Sequence, residues 1–297
     1  FDGQYADEEF TSFNGQRQDY PVDGEYFAAN FRLGLRYGIT DQVEIGGQLV
    51  LSYLSFEADE VYFFPAIDEL NDLGDIRGGI LSFDRTTTGL GDLNLYFRYR
   101  FTPMQRFVAA IEIDMKVPTG YSAVTGPFSD TEEPLDSLLP GTSLVDDVSL
   151  GDGQLDVTGL LLLGWAPPGG WFTRLDAGFR ARFFGPGQQI VSAFKIGNRV
   201  VDWAVPYLAT DFEYTVTEGE VIGQVLATER VDLSAQEFDF EYVQTPDIRF
   251  DRSAWRVGIG TILVVADREL DVSYSLVVWG ENTARLHIVS LGTSFNL

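Results

Sequence analysis

Arg98 and Arg100 stand two residues apart, and so do Glu112, Asp114 and Lys116, then Arg174 and Asp176, then Arg180 and Arg182. In an extended chain a spacing of two places side chains on one face, so each set presents its charges as a row. Arg32 and Arg36, Glu44, Asp92, Asp156, Arg252 and Arg256, and Asp271 fall on rows of the same kind. Guanidinium groups facing carboxylates would set a transverse field on polar solutes, as charged rings do in pores. The plainer expectation is pairing across neighbouring strands, with Asp92 opposite Lys116 and Asp156 opposite Arg180. Catalysis is not favoured: Glu112 and Asp114 would activate water only as part of a larger constellation. The single histidine, His287, lies on an apolar parity, and the usual triads are missing. Gly258 and Gly260 sit inside a strand pattern rather than a phosphate-binding loop. The chain reads as a non-enzyme with no cofactor.

The acidic residues outside these rows cluster in three polar stretches: Asp59 to Asp75, Asp130 to Asp147, and Glu218 to Glu241. With a net charge of −25, the chain lacks the basic surface that phosphate backbones need, which excludes nucleic acid as a partner. Like charges of this kind chiefly solvate long loops. Clustered carboxylates are also hard oxygen ligands, and Asp146 and Asp147 with Asp152, or the Asp68 to Asp75 stretch, are the places where calcium would bind, although no calcium-loop spacing is present. There is no cysteine to staple the chain or hold a metal.

The rows need elements to carry them. No apolar run approaches the roughly 18 residues of a membrane helix. Period-two alternation prevails instead: Leu93, Leu95, Phe97, Tyr99 and Phe101 oppose Asn94, Tyr96, Arg98 and Arg100. Phe107, Ile111, Ile113 and Met115 likewise oppose Glu112, Asp114 and Lys116, while Trp171, Leu175, Phe179 and Phe183 oppose Arg174, Asp176, Arg180 and Arg182. The alternating segments run for roughly nine to fifteen residues, longer than ordinary globular strands and suited to a tilted membrane crossing. Trp165 and Trp171 flank a turn on the apolar parity, where an interfacial girdle places its aromatics.

Connections alternate between tight and long. Tight turns fall at Thr40-Asp41, Thr102 to Gln105, Ala166 to Gly170, Gly197 to Arg199 and Ala266 to Arg268. Long polar connections fall at about Glu57 to Gly89, Pro118 to Gly153 and Val216 to Phe250. Strands then cover about Tyr26 to Ile39, Gln42 to Phe56, Leu90 to Phe101, Arg106 to Val117, Gln154 to Trp165 and Trp171 to Phe183. Five more run over Gln188 to Ile196, Val200 to Tyr214, Arg252 to Val265, Glu269 to Trp279 and Arg285 to Leu297. An even-numbered barrel requires a further first strand, expected near Gln4 to Phe13. The fold class is therefore an all-β transmembrane antiparallel barrel of about twelve strands, one domain over residues 1 to 297, with short periplasmic turns and long acidic extracellular loops. Phe1 to Phe10 has no basic segment followed by an apolar core, so an export signal is expected to have been removed.

Thr88-Gly-Leu-Gly-Asp-Leu-Asn-Leu95, Tyr99-Arg100, Val117-Pro-Thr-Gly120 and Gly151-Asp-Gly-Gln-Leu-Asp-Val157 resemble the family known as the MetA-pathway of phenol degradation. The resemblance is carried by about Thr88 to Gly187 and implies an outer-membrane barrel that passes hydrophobic or aromatic compounds. It supplies no binding residues for this chain.

These readings lead to a passive outer-membrane channel of a Gram-negative bacterium, through a charged lumen or a lateral opening, with lipid and lipopolysaccharide as its surroundings. The stretch from Pro118 to Leu150 is a candidate plug. The alternative is a closed scaffold whose acidic loops bind an envelope protein or lipopolysaccharide bridged by divalent cations.

Overall fold

The computed structural model describes residues 1–10, 15–20, 23–57, 61–63, 79–81, 85–102, 106–119, 150, 153–219, 221–224, 227–228, 243–244, 247–249, 251–265 and 268–295. Twelve antiparallel strands close into one barrel. They are β1 (Asp2–Ala6), β2 (Glu25–Gly38), β3 (Val43–Glu57), β4 (Arg85–Arg100), β5 (Phe107–Val117) and β6 (Asp156–Trp165), followed by β7 (Trp171–Arg182), β8 (Gln189–Asn198), β9 (Ala204–Thr215), β10 (Ser253–Val265), β11 (Arg268–Glu281) and β12 (His287–Ser294). Each strand pairs with its sequence neighbours, and β1 closes the ring against β12 and β2. Closure leaves no open sheet edge, which is the condition for strands in hydrocarbon.

The alternation sets the two faces. On β2, Phe31, Leu33, Leu35 and Tyr37 point outward, while Asn30, Arg32 and Arg36 point inward with their register partners Ser52, Val50 and Gly46 on β3. Large apolar side chains lie bare on the outside, with Leu35 66%, Ile259 59% and Leu208 59% exposed. So much apolar surface is stable only in contact with lipid. On β10 the outward row runs from Trp255 to Val265. Ten residues of tilted strand span about 25 Å of membrane, the height of an outer-membrane barrel's apolar band. Trp165, Trp171 and Trp203 edge this band beside the short turns, and Trp255 and Trp279 edge it at the other end, all five outward. These are the two girdles.

The first strand is shorter and earlier than Gln4 to Phe13. Asp2, Gln4 and Ala6 face in and Tyr5 faces out, and beyond Ala6 the chain leaves the wall. Glu8–Phe10 then joins a separate three-stranded sheet with Arg17–Asp19 and Thr283–Ala284 at the loop end. The strand expected from Val200 starts only at Ala204, because residues 199–203 form the turn. The strand expected from Leu90 starts at Arg85 and absorbs a register shift opposite Leu49 and Leu51. Residues 103–105, 266–267 and 296–297, parts of two expected turns and of the last strand, lie outside the described residues.

Two inward glycines make room for rings. A Cβ on Gly46 would stand 2.5 Å from the Tyr96 ring, and one on Gly260 would stand 2.4 Å from Tyr207. Both tyrosines therefore lie over a glycine of the neighbouring strand, close against the wall.

Candidate functional site

The expected rows all face the lumen, and most of their charges are matched by the next strand. Near the turn end, Arg98 stands opposite Glu44 on one side and Glu112 on the other. Its guanidinium lies 2.9 Å from Glu44 and 2.6 Å from Glu112. The Tyr96 hydroxyl donates to Glu44 at 3.0 Å, and Arg98 also stacks over the Tyr96 ring. Arg100 donates to the carbonyl of Asp41 in the first turn. Arg36 is exposed at the same end.

Towards the loops a second ladder crosses four strands. Lys116 lies 3.7 Å from Asp92 and 3.0 Å from Asp156, and Arg182 reaches Asp156 at 3.4 Å. Asp156 thus stands opposite Lys116 and Arg182, not Arg180, whose register partner is Thr158. Lys116 stands opposite Asn94 and meets Asp92 diagonally. Both expected registers were short by two residues, because the chain extends further before each pairing begins: Trp165 pairs with Thr173, past Trp171, and glycines with positive φ at 169 and 170 shape that turn.

A third network involves residues that alternation alone did not single out. Arg180 lies 3.3 Å from Glu213 and donates to Gln189 at 2.9 Å, while Arg252 approaches Glu213 from the other side. Gln189, 1% exposed, donates to the carbonyl of Arg252 at 2.7 Å. Arg256 pairs with Asp211 at 3.0 Å, Arg174 with Asp176 at 2.7 Å, and Lys195 with Asp271 at 3.7 Å. Across the seam, Arg32 meets Asp2 at 3.0 Å, and Asn30 and Ser52 extend the chain of hydrogen bonds. Alternation does not mark Lys195, Asp211 and Glu213, because apolar Val191, Ala193 and Ala209 share their inward parity and blur the pattern, and it does not mark Asp2, because the first strand spans only five residues. The Asp114 Oδ1 is shielded from solvent and accepts no hydrogen bond from the described residues.

These charges enclose a cavity of about 290 Å³ in the loop-side half of the lumen. Asp114, Thr158 and Asp176 form one wall, and Val277, Leu286 and Ile288 the opposite one. Phe10 packs on Ala254, Val277 and Leu286, so the small rim sheet caps the apolar wall. Glu8 ties that sheet down through ion pairs with Arg17 and with Arg285, the latter at 2.5 Å. The Arg17 guanidinium, and to a lesser degree Arg285, hold the Glu8 carboxyl below the ordinary glutamate value.

His287 faces lipid, where its Nδ1 shares a hydrogen bond of 2.8 Å with the Tyr274 hydroxyl. Among the described residues no cluster of His, Asp and Glu is arranged to hold a metal. Asp146, Asp147 and Asp152, the Asp68 to Asp75 stretch and most of the Pro118 to Leu150 segment lie outside the described residues.

Wall, bore and girdles together define a membrane-spanning β-barrel of the outer-membrane type. Among solved structures, an outer membrane channel from Pseudomonas putida F1 aligns over 98% of this chain and 92% of its own, at 12% identity and a TM-score of 0.58. The CymD monoaromatic hydrocarbon channel aligns over 100% of this chain and 88% of its own, at 8% identity and a TM-score of 0.45. The first likeness is one of fold, and it agrees with the barrel that the family resemblance implies. No family model matches the chain, and no curated protein matches it in sequence.

Proposed function

We propose that the chain is a passive channel in the outer membrane of a Gram-negative bacterium, moving small solutes by diffusion with no catalytic step. The observation that carries this reading is the bore: an inner wall lined with ion pairs, walled on one side by Gly258, Gly260, Ser273, Ser275 and Ser290, with a cavity at its loop end. A twelve-stranded barrel is wide enough for such a path where side chains are small. A scaffold has no use for charges directed into a bore; apolar packing would stabilise it as well. The P. putida channel of the same fold supports the reading, and the family resemblance adds hydrophobic or aromatic compounds as the solute class. Lipid surrounds the barrel, and lipopolysaccharide contacts its loop-end girdle.

Single-channel recording of the refolded chain in a planar bilayer tests this. Steady current that changes when Arg98 or Arg180 is replaced by Gln supports the channel. Silence in wild type and in a deletion of residues 122–142 would sink it and favour the closed scaffold with acidic loops as a docking surface for an envelope partner.

A further inference from the structure

Tyr96 and Tyr207 are built into the inner wall in the same way. Each is the register partner of an inward glycine on the next strand, Gly46 on β3 and Gly260 on β10. Each ring fills the space that a side chain at its glycine would need. Each also carries a cation over it: Arg98 lies 5.2 Å from the Tyr96 centroid, and Lys195 lies 4.0 Å from that of Tyr207. One acid then holds both members. Glu44 accepts the Tyr96 hydroxyl at 3.0 Å and pairs with Arg98 at 2.9 Å. Asp271 accepts the Tyr207 hydroxyl at 2.5 Å and pairs with Lys195 at 3.7 Å. Glycine, tyrosine, cation and acid thus recur as one bracket in two places.

The two brackets face each other. Tyr96 is on β4 and Tyr207 on β9, five strands apart one way round the ring and seven the other. Both stand at the turn-side end. Tyr96 and Arg98 come just before β4 ends at Arg100, and Lys195 just before β8 ends at Asn198. Tyr207 and Asp271 come just after β9 and β11 begin at Ala204 and Arg268. None of these residues lines the loop-side cavity.

On this basis, and resting on the channel reading, we propose that the two brackets form the narrowest part of the bore and that Tyr96 and Tyr207 set the size of the solute that passes. Each cation is matched by the acid of its own bracket, so the tyrosines contribute bulk to the passage rather than charge. Each ring is also fixed at three points: the glycine it sits on, the cation over it and the acid at its hydroxyl. A side chain free to swing gives way to a solute, whereas one held in this manner imposes a definite limit. Bracing the sheet would not require two brackets of the same make on opposite sides of the bore at one end.

Single-channel recording of the refolded full chain in potassium chloride, with polyethylene glycols of increasing size added, tests this. Polymers that enter the bore lower its conductance and excluded ones do not, so the series measures the narrowest width. The double variant Y96A/Y207A, checked for folding by its gel shift on heating, is expected to raise conductance roughly twofold and to admit larger polymers. Its reversal potential in a salt gradient is expected to stay that of wild type, because no charge is removed. Gly46→Ala and Gly260→Ala push a ring off its seat and are each expected to lower conductance and exclude smaller polymers. Where a glycine variant fails the gel-shift check, the tyrosine pair decides alone. An unchanged polymer limit in Y96A/Y207A overturns the inference, since the tyrosines would then only brace the wall. A shifted reversal potential with an unchanged limit also overturns it, because the brackets would then select by charge. Steady wild-type current with either result leaves the channel reading standing, whereas silence in wild type and in every variant removes both.

Discussion

The carboxylate of Asp156 and the guanidinium of Arg182 meet at 3.4 Å on the inner wall, with side chains only 5% and 7% exposed. Lys116 closes on the same carboxylate from β5 at 3.0 Å. The three strands β5, β6 and β7 are thus tied at one height by a single acid between two bases. Replacing Arg182 with Gln leaves Asp156 with one cation, and the expected loss is about 2–3 kcal/mol, below the cost of an orphaned buried charge because Lys116 remains. Adding Asp156→Asn to that variant should cost less than the two single losses summed, since Lys116 can still turn to Asp92. Urea unfolding of refolded protein, followed by tryptophan emission, gives both numbers. Additive losses would mean that the pair is not coupled.

Most of this wall was legible in the sequence. Strands bounded by tight turns, such as β6 and β7 around residues 166–170, fall where alternation places them, because one face must be apolar for lipid along its whole length. The inner face carries no such demand. Val191, Ala193 and Ala209 are tolerated beside Lys195, Asp211 and Glu213, so inward parity alone did not reveal the charges that line the cavity. The first strand was displaced for a related reason. It spans five residues before Glu8–Phe10 turns into the rim sheet, too short a run for alternation to register. Pairing partners were misjudged by two residues because side-chain parity is blind to a shift of two.

The rim sheet should respond to acid. Glu8 binds Arg17 and Arg285, with Glu9 and Asp19 beside it, and its carboxyl is held below the ordinary glutamate value first by Arg17. A lowered folded-state value means that the latch contributes fully above the unfolded glutamate value, about 4.3, and is lost as pH falls through the lower folded value. A spin label at Asp19→Cys should therefore stay immobile at pH 7 and become mobile only below about pH 4. In the Glu8→Gln background it should be mobile at both. A label that is immobile at low pH in wild type would show that Phe10 packing, not the ion pairs, holds the sheet.

Asp251 joins three loop-end connections. Its carboxylate accepts the Gly187 amide at 2.8 Å and the Gly219 amide at 2.9 Å, and its carbonyl accepts the Asn282 side chain at 2.8 Å. Gly187 has no room for a side chain there, since a Cβ would lie 2.0 Å from the carbonyl of Thr217. Asp251→Ala removes the carboxylate that accepts both amides, a local loss of about 2–3 kcal/mol. Gly187→Ala should act in the same direction by pushing the two connections apart. Hydrogen exchange read by mass spectrometry should show faster exchange in peptides covering 183–188 and 216–219, with the β6 and β7 peptides unchanged. Uniform loss across the barrel would mean that Asp251 supports the whole wall rather than its rim.

Ile259 and Ser275 lie at nearly the same height on opposite faces of the same pair of strands. Ile259 points outward beside Tyr274, while Ser275 stands opposite Gly258 and points into the bore. If the outside is lipid and the inside is water, an arginine must be costly at the first and nearly harmless at the second. Ile259→Arg places a charge near the middle of the apolar band, and the expected destabilisation is about 2–4 kcal/mol. Ser275→Arg enters a lumen already lined with ion pairs and should change stability by no more than about 1 kcal/mol. Its effect should appear instead in conductance, since the bore is narrowed at a wall of small residues. Folding efficiency into lipid vesicles and single-channel current, measured on both variants, separate the faces. A costly Ser275→Arg with a neutral Ile259→Arg would invert the barrel and put the apolar face inside.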